Sequence, residues 1–426
     1  MTWLLVALLV LLALLGAPLF ALIAGLAMLG VHASGTDLTL MAAEFWRLTD
    51  MPVLIAIPLF TIAGYLLGES RAPQRLVRLS DALFGWMPGG LAIVALVACA
   101  FFTAFTGATG VTIVALGAVL YPALRHARYP ERFSLGLVTT SGSLGLLFAP
   151  SLPLIIYAVV AQQMVTDRPL AVEEMFRAGL LPGLLMLVML GGWCIWASRG
   201  IDRPRARFDW REARAALADA RWEAPLPLVV LGGIYGGFIA PSEAAAATAL
   251  YVLLVVLVIR RELPWREFPR VAREAMVLVG ALMLILGVAL GLTNRMIDAE
   301  LPGRLFGFIR EHIDSRMVFL LVLNVFLLVF GMLLEGLPAI MILVPLALPI
   351  AQGYGIDPVH FGIMFLANLQ VGFFTPPLGM NLFVASYRFG QPVLAVIRAC
   401  WPFFLIQLAA VLVITYWPWL SLVLVR

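Results

Sequence analysis

Long apolar runs with almost no charge follow one another along the chain: Trp3 to Gly30, Met51 to Leu67, Gly179 to Ala197, Ala275 to Thr293 and Cys400 to Val425. A helix needs about 20 apolar residues to cross the hydrocarbon core of a bilayer, so the runs predict a bundle of membrane helices. A transmembrane β-barrel needs segments of about 10 residues that alternate apolar and polar positions. No such alternation is present.

Two other apolar stretches are interrupted near their middle. Leu91 to Phe105 runs into TGATG (Thr106 to Gly110) and resumes as Val111 to Leu124; Met317 to Leu334 runs into EGLPA (Glu335 to Ala339) and resumes as Ile340 to Ile350. A limb of about 15 residues reaches roughly 22 Å, short of a crossing, so each pair of limbs predicts a re-entrant hairpin. Each is followed by a helix broken at proline: SLGLLFAPSLPLIIY (Ser143 to Tyr157) and QVGFFTPPLGMNLFV (Gln370 to Val384). Proline at membrane depth frees backbone groups that must find partners in protein, water or ions.

These interruptions recur in order at a shift of roughly 225 residues, a sign of internal duplication. Pro18 pairs with Pro241, Gly64 with Gly291, Phe105 with Phe330, Pro122 with Pro349, Pro130 with Pro358, Phe133 with Phe361, Gly145 with Gly372, and Pro150 with Pro377. The reading divides the chain into a first repeat, residues 1–200, a basic linker, 201–224, and a second repeat, 225–426. The hairpins fall at about 91–124 and 317–351, and the broken helices at about 133–163 and 359–387.

Composition adds that lipid must be the solvent: 63% of residues are hydrophobic and 12% charged, with a mean hydropathy of +1.02. The net charge of +4 is carried by arginine, with no lysine anywhere, in short loops between apolar runs and not on one face suited to nucleic acid. With the N-terminus inside, about 20 of the 28 arginines fall in cytoplasmic loops, chiefly Arg199 to Arg221 and Arg260 to Arg273. The loops flanking the first hairpin carry Arg71, Arg75, Arg78, Arg125, Arg128 and Arg132, whereas Gln352 to Pro358 beside the second carries none. The two halves are therefore expected to be inverted, which requires separate helices over Pro225 to Glu243 and Ala244 to Ile259. Cys99, Cys194 and Cys400 lie in apolar segments without CxxC spacing and imply neither disulfide nor zinc. The first run lacks a basic n-region and a small-residue cleavage site and reads as a retained helix.

Inverted repeats with paired broken helices imply a secondary transporter binding its cargo near the midplane. Half-helix N-termini offer N–H groups to an anion, and released carbonyls offer oxygen to Na⁺. No Walker motif is present, and no Ser/His/Asp grouping or metal-ligand cluster points to an enzyme.

The strings IPLFTIAG, TGATGVTIVALGAVLYPAL, TSGSLGLLFAPSLPLIIY, GGIYGGFIAPSEAAAATALY and GIDPVHFGIMFLANLQVGFFTPPLGMNLFVAS resemble, in order and over essentially the full chain, the large membrane subunit of TRAP transporters, the tripartite ATP-independent periplasmic carriers. The resemblance implies an elevator-type carrier of the bacterial inner membrane, coupled to Na⁺ and needing no other cofactor. Its partners would be a small four-helix membrane subunit and a periplasmic binding protein that delivers an organic anion: a C4-dicarboxylate, sialic acid or related carboxylate. Carried onto this chain, it places one Na⁺ site at Thr106, Gly107, Ala108 and Thr109 with Phe148, Ala149, Pro150 and Ser151. The other would lie at Glu335 and Gly336 with Thr375, Pro376 and Pro377, while Asn381 and the Ser141 to Ser143 run would face substrate. The chain departs from the family pattern with GATG for a serine pair, APS for PPS, APSEAAA for TPTEAAA and Glu335 for a frequent Asp.

Blander readings exist for several of these residues. TGATG also suits close helix packing, but its repeat partner and the following broken helix favour a site. Glu335 is either functional or a tip residue facing an aqueous cavity. Glu243 reads as helix capping with Ser242 as cap, His360 as packing at a helix start, and Arg295 as an interfacial helix end or an attractor of anionic substrate. A self-sufficient Na⁺/dicarboxylate symporter and a channel remain the alternatives.

Overall fold

The computed structural model describes residues 8–9, 11–13, 15–33, 37, 39–87, 89–165, 170–199, 208–334 and 336–425. Glu335, residues 201–207 of the basic linker and residues 3–7, 10 and 14 of the opening apolar run lie outside them. All regular structure among the described residues is helical.

The first half holds α1 (Leu19–Ala33), α2 (Thr39–Thr49), α3 (Ala56–Glu69), α4 (Ala72–Phe84), α5 (Gly90–Thr106), α6 (Thr109–His126), α7 (Glu131–Ser141), α8 (Leu152–Ala161) and α9 (Val172–Ala197). The amphipathic α10 (Trp210–Asp219) follows. Then come α11 (Pro225–Tyr235), α12 (Pro241–Leu253), α13 (Phe268–Asp298), α14 (Leu301–His312), α15 (Arg316–Leu333), α16 (Gly336–Gly353), α17 (Pro358–Gly372), α18 (Met380–Phe389), α19 (Val393–Tyr416) and α20 (Trp419–Leu422). Among the described residues, seven stretches have the length and apolarity to cross a bilayer: Pro52–Glu69, Val172–Ala197, Pro241–Ile259, Phe268–Asp298, Arg316–Leu333, Gly336–Gly353 and Val393–Tyr416. Residues 131–161 add an eighth if the two helices, bent by 44° at the break, count as one span.

Local chemistry explains where these helices start. At α17, Pro358 occupies the first turn, where its missing N–H costs nothing, and Asp357 Oδ1 accepts from Val359 N–H at 2.8 Å. The gap between α11 and α12 falls at residues 236–240, so Glu243 belongs to the second of these helices and not the first. Its carboxylate accepts from Ala240 N–H at 2.9 Å, which makes Ala240, rather than Ser242, the residue at the cap. Pro241 in the first turn favours that start.

The second limb of the second interrupted stretch is longer than the apolar pattern alone predicts. α15 and α16 have 18 residues each, about 27 Å at 1.5 Å per residue, and both qualify as spans by length. The helix absorbs Pro345 and Pro349 and continues through Gln352 to Gly353, so the end of the apolar run is not the end of the helix.

The two broken helices form the centre. Every residue of α8 is buried, as is α17 from Val359 onward. α7 packs on α19, α15 on α17, and α16 on α8, while α3 packs with α12 and α13, and α1 with α13. Outer helices leave Val188, Leu228 and Val277 more than 65% exposed, a surface suited to lipid tails. Amides tie the inner helices together: Asn368 Nδ2 donates to Asn324 Oδ1 at 2.6 Å, Thr415 Oγ1 donates to the same oxygen at 3.1 Å, and Gln370 Nε2 donates to Gln407 Oε1 at 3.3 Å. His360 packs at the start of α17, where Nδ1 lies 2.7 Å from Ser421 Oγ.

Three basic segments that are far apart in sequence converge outside the spans. Arg75 on α4 ion-pairs with Glu223 and Glu262, and Arg78 pairs with Glu212 and Asp219. Burial opposes the charged form of Glu262, but hydrogen bonds from the Arg75 guanidinium and the Arg71 N–H outweigh it and hold the carboxyl below its ordinary 4.5. A depressed folded pKa contributes stability that is fully present above 4.5 and is lost as pH falls through the folded value. Replacing Arg75 with Ala strands two carboxylates and is expected to cost about 3 kcal/mol. Thermal unfolding of the detergent-solubilised chain reads this, and an unchanged midpoint would refute it.

Candidate functional site

α5 and α6 meet at Gly107 and Ala108. Gly107 has φ +64, a conformation glycine adopts without steric cost, and a Cβ there would lie 2.6 Å from Leu152 Cδ1, so this tip is seated against the start of α8. Gly336, at the start of α16, is likewise seated on Phe373 beyond α17: a Cβ would fall 2.5 Å from that ring. Each helix pair thus meets the break in its own half. The Ala149–Pro150 and Pro376–Pro377 bonds are cis.

The breaks also press against the first limb of each pair. Gly145 lies on Ala100 and Ala104 of α5, too close for any side chain. Gly372 lies on Gly331 of α15, where a Cβ would meet backbone carbon at 2.7 Å. Thr103 Oγ1 joins α5 to the first break through Gly142 O at 2.9 Å and to Thr112 Oγ1 at 2.8 Å. Neither threonine stands out in the sequence, because a threonine inside an apolar helix usually donates back to its own backbone, as Thr103 also does to Cys99 O.

The two halves meet through Thr109 and Asn381. Thr109 Oγ1 hydrogen-bonds Asn381 Oδ1 at 2.8 Å, across 272 positions of sequence, and Asn381 is fully buried. Its Nδ2 has no partner among the described residues. A hydroxyl can donate or accept, so either orientation of the amide leaves one of its polar atoms unpaired. Two more buried oxygens have no partner among the described residues: Thr106 Oγ1 at the tip and Ser151 Oγ at the break. A buried polar atom without a partner costs free energy, and a ligand at these interruptions would supply the missing contacts. Hydroxyl and amide oxygens are hard donors of the kind an alkali cation takes, and the amide N–H suits a carboxylate.

Thr375, Pro376 and Pro377 form the second break, where Thr375 Oγ1 donates to Val371 O at 2.8 Å and Thr375 O accepts from Gly379 N–H at 3.0 Å. Ala149 and Pro150 sit with Ser151 between the short Leu144–Leu147 turn and α8. Ser141 and Ser143 are buried, and their hydroxyls donate to Val138 O and Thr140 O. Arg295 lies apart, in the last turn of α13, packed on Gly30 and paired with Asp298 at 3.3 Å.

Comparison with known proteins matches this geometry to a family. The solved structure of the YdaH transporter from Alcanivorax borkumensis superposes with a TM-score of 0.61 at 15% identity, covering 89% of this chain and 87% of that one, which is a likeness of fold. The C4-dicarboxylate TRAP transporter large permease protein DctM of Rhodobacter capsulatus is 34% identical over 379 residues, 87% of this chain and 86% of that one. The ectoine/5-hydroxyectoine TRAP transporter large permease protein UehC of Ruegeria pomeroyi is 30% identical over 372 residues, 87% and 85% respectively. The family description "Tripartite ATP-independent periplasmic transporter, DctM component" matches residues 3–420, and the chain belongs to this family of multi-pass membrane transport proteins as a large permease subunit.

Proposed function

We propose that this chain is the membrane carrier of a Na⁺-coupled importer for an organic carboxylate, delivered by a periplasmic binding protein and taken across the inner membrane with a small four-helix partner subunit. The observation that carries the reading is the Thr109–Asn381 hydrogen bond, flanked by the unpaired Thr106 Oγ1, Ser151 Oγ and Asn381 amide atom. A cation held by Thr106, Ser151 and carbonyls at the first break would leave the Asn381 amide to a carboxylate. The relatives' names span a C4-dicarboxylate and ectoine, and the chemistry these share is a carboxylate group.

The equivalent seating of Gly145 on α5 and Gly372 on α15 supports two repeats, residues 1–200 and 225–426, each contributing a re-entrant pair and a broken helix. In an elevator mechanism these central elements move together against α1, α3, α12 and α13. Two limbs of α15 and α16 length can also cross, so cysteine accessibility from each side of the membrane at Gly336 decides between crossing and re-entry.

The test is reconstitution with the partner subunits, with Na⁺, proton and potential gradients imposed separately. Uptake is expected to require inward Na⁺ and both partners. Uptake unaffected by omitting Na⁺ would sink the coupling, and uptake by this chain alone would favour a self-sufficient symporter. Ser151→Ala is expected to raise the Na⁺ concentration for half-maximal uptake by about tenfold, the effect of losing one liganding oxygen. An unchanged Na⁺ response would remove Ser151 from the site.

A further inference from the structure

The arginine-rich cavity beside α4 is distant in sequence from every residue assigned above. It has a volume of about 580 Å³, within the range of ligand pockets, and five arginines line it: Arg71, Arg75, Arg78, Arg260 and Arg261. Among the described residues two carboxylates share the lining, Asp219 and Glu262. Both are already engaged, Glu262 by Arg75 and Asp219 by Arg78 and Arg260. Arg71 and Arg261 are exposed, and neither guanidinium meets a carboxylate among the described residues. Arg75 is 7% exposed, and its Nε–H is buried without an acceptor among the described residues, as is that of Arg260. The donors of this cluster exceed its acceptors, and the excess is positive.

We infer that the cavity binds a phosphate group, supplied by the headgroup of an anionic phospholipid. A phosphate offers planar guanidinium groups charge-assisted anionic oxygen acceptors, which Arg71 and Arg261 lack among the described residues. The membrane is favoured as its source by position. Two spans, Pro52–Glu69 and Pro241–Ile259, end next to the cavity, whose lining residues begin at Arg71 and Arg260. Exposed aromatic side chains of the kind enriched at membrane interfaces stand at the far ends of the two helices that line it: Trp86 beyond α4 stacks edge-on with Phe208, and Phe208 with Trp210 of α10. Basic pockets at the ends of membrane helices are suited to anionic headgroups. A bound lipid would bridge α4, α10 and the turn after α12, tying the basic segments into one platform.

The experiment uses the full-length chain, delipidated in neutral detergent and titrated with phosphatidylglycerol, phosphatidylcholine or inorganic phosphate at equal ionic strength, with native mass spectrometry and thermal unfolding as readouts. Phosphatidylglycerol is expected to bind and to raise the unfolding midpoint where phosphatidylcholine does not. The double variant Arg71→Gln with Arg261→Gln is expected to bind it about 30-fold more weakly, roughly fivefold per arginine. Neither arginine holds a carboxylate, so the variant strands no partner, and Arg71→Lys with Arg261→Lys is expected to recover most of the binding. Arg270→Gln serves as a control on the same side: this arginine is held by Glu69, Glu267 and Glu274 outside the cavity and its loss is expected to leave binding unchanged. Equal binding of the two lipids, or unchanged affinity in the double glutamine variant, would overturn the inference. Protection by inorganic phosphate with no preference between lipids would keep the phosphate site and overturn the lipid assignment.

Discussion

Asn381→Leu is expected to reduce uptake by about 100-fold in vesicles carrying the assembled transporter, while the chain still inserts and purifies as a monodisperse species. Leucine keeps asparagine's branching and number of side-chain heavy atoms but removes two things. It takes away the acceptor of the Thr109 hydroxyl, which is buried and would be left unpaired, at about 1–3 kcal/mol. It also removes the amide atom that has no protein partner and is therefore the one available to cargo. Together these approach two decades in rate, since each 1.4 kcal/mol is about tenfold. Thr109→Val separates the parts. It deletes the link between the halves and keeps the free amide, so it is expected to cost about tenfold, with most of the loss recovered at high Na⁺. Asn381→Asp adds a negative charge where a carboxylate is proposed to sit, and its defect is expected in the apparent substrate affinity more than in the maximal rate. Wild-type uptake in both Asn381→Leu and Thr109→Val would remove this pair from the transport site.

How far the sequence discloses this arrangement depends on whether a feature is local. The interruptions are local: TGATG, APSLP and TPPLG break apolar runs, and gaps between helices fall at them, at 107–108, 148–151 and 373–379. The start of α12 was displaced because Glu243 and Pro241 act as first-turn residues, which a purely apolar pattern does not register. The length of α16 was underestimated because the helix takes in Gly336 to Ala339 of the expected tip and continues to Gly353, where hydrophobicity fades. Contacts between halves carry no local signature. Thr109 and Asn381 are 272 positions apart, and Asn381 entered as a candidate only through family resemblance. The arginines of α4 read as topology, and nothing in their spacing announces Glu223 and Glu262 as partners. Serine is ambiguous in another way: Ser141 and Ser143 bind carbonyls of their own helical turn, while Ser151, of the same chemistry, is left unpaired.

Gly372→Val is expected to abolish uptake and to lower the unfolding midpoint. The residue closes α17 at the second break, and the atoms facing its missing side chain are Gly331 carbonyl carbon and Cα of α15, 2.7 and 2.8 Å from where a Cβ would stand. Backbone cannot swing aside as a flexible side chain does, so the two helices must separate by several tenths of an ångström. Overpacking of this kind costs about 1–3 kcal/mol in a well-filled interior, and valine adds two methyl groups beyond the Cβ. The separation would also carry Phe373 away from Gly336, unseating the start of α16 from the break. Gly372→Ala, with only the Cβ, is expected to keep the fold and lose about tenfold in uptake, because the spacing of the site changes before the packing fails. Gly192→Ala controls for substitution of a helical glycine, since no atom lies within 4 Å of its missing Cβ, and it is expected to transport normally. If Gly372→Ala and Gly192→Ala transport alike, the close crossing of α15 and α17 serves stability alone, and the second break works without it.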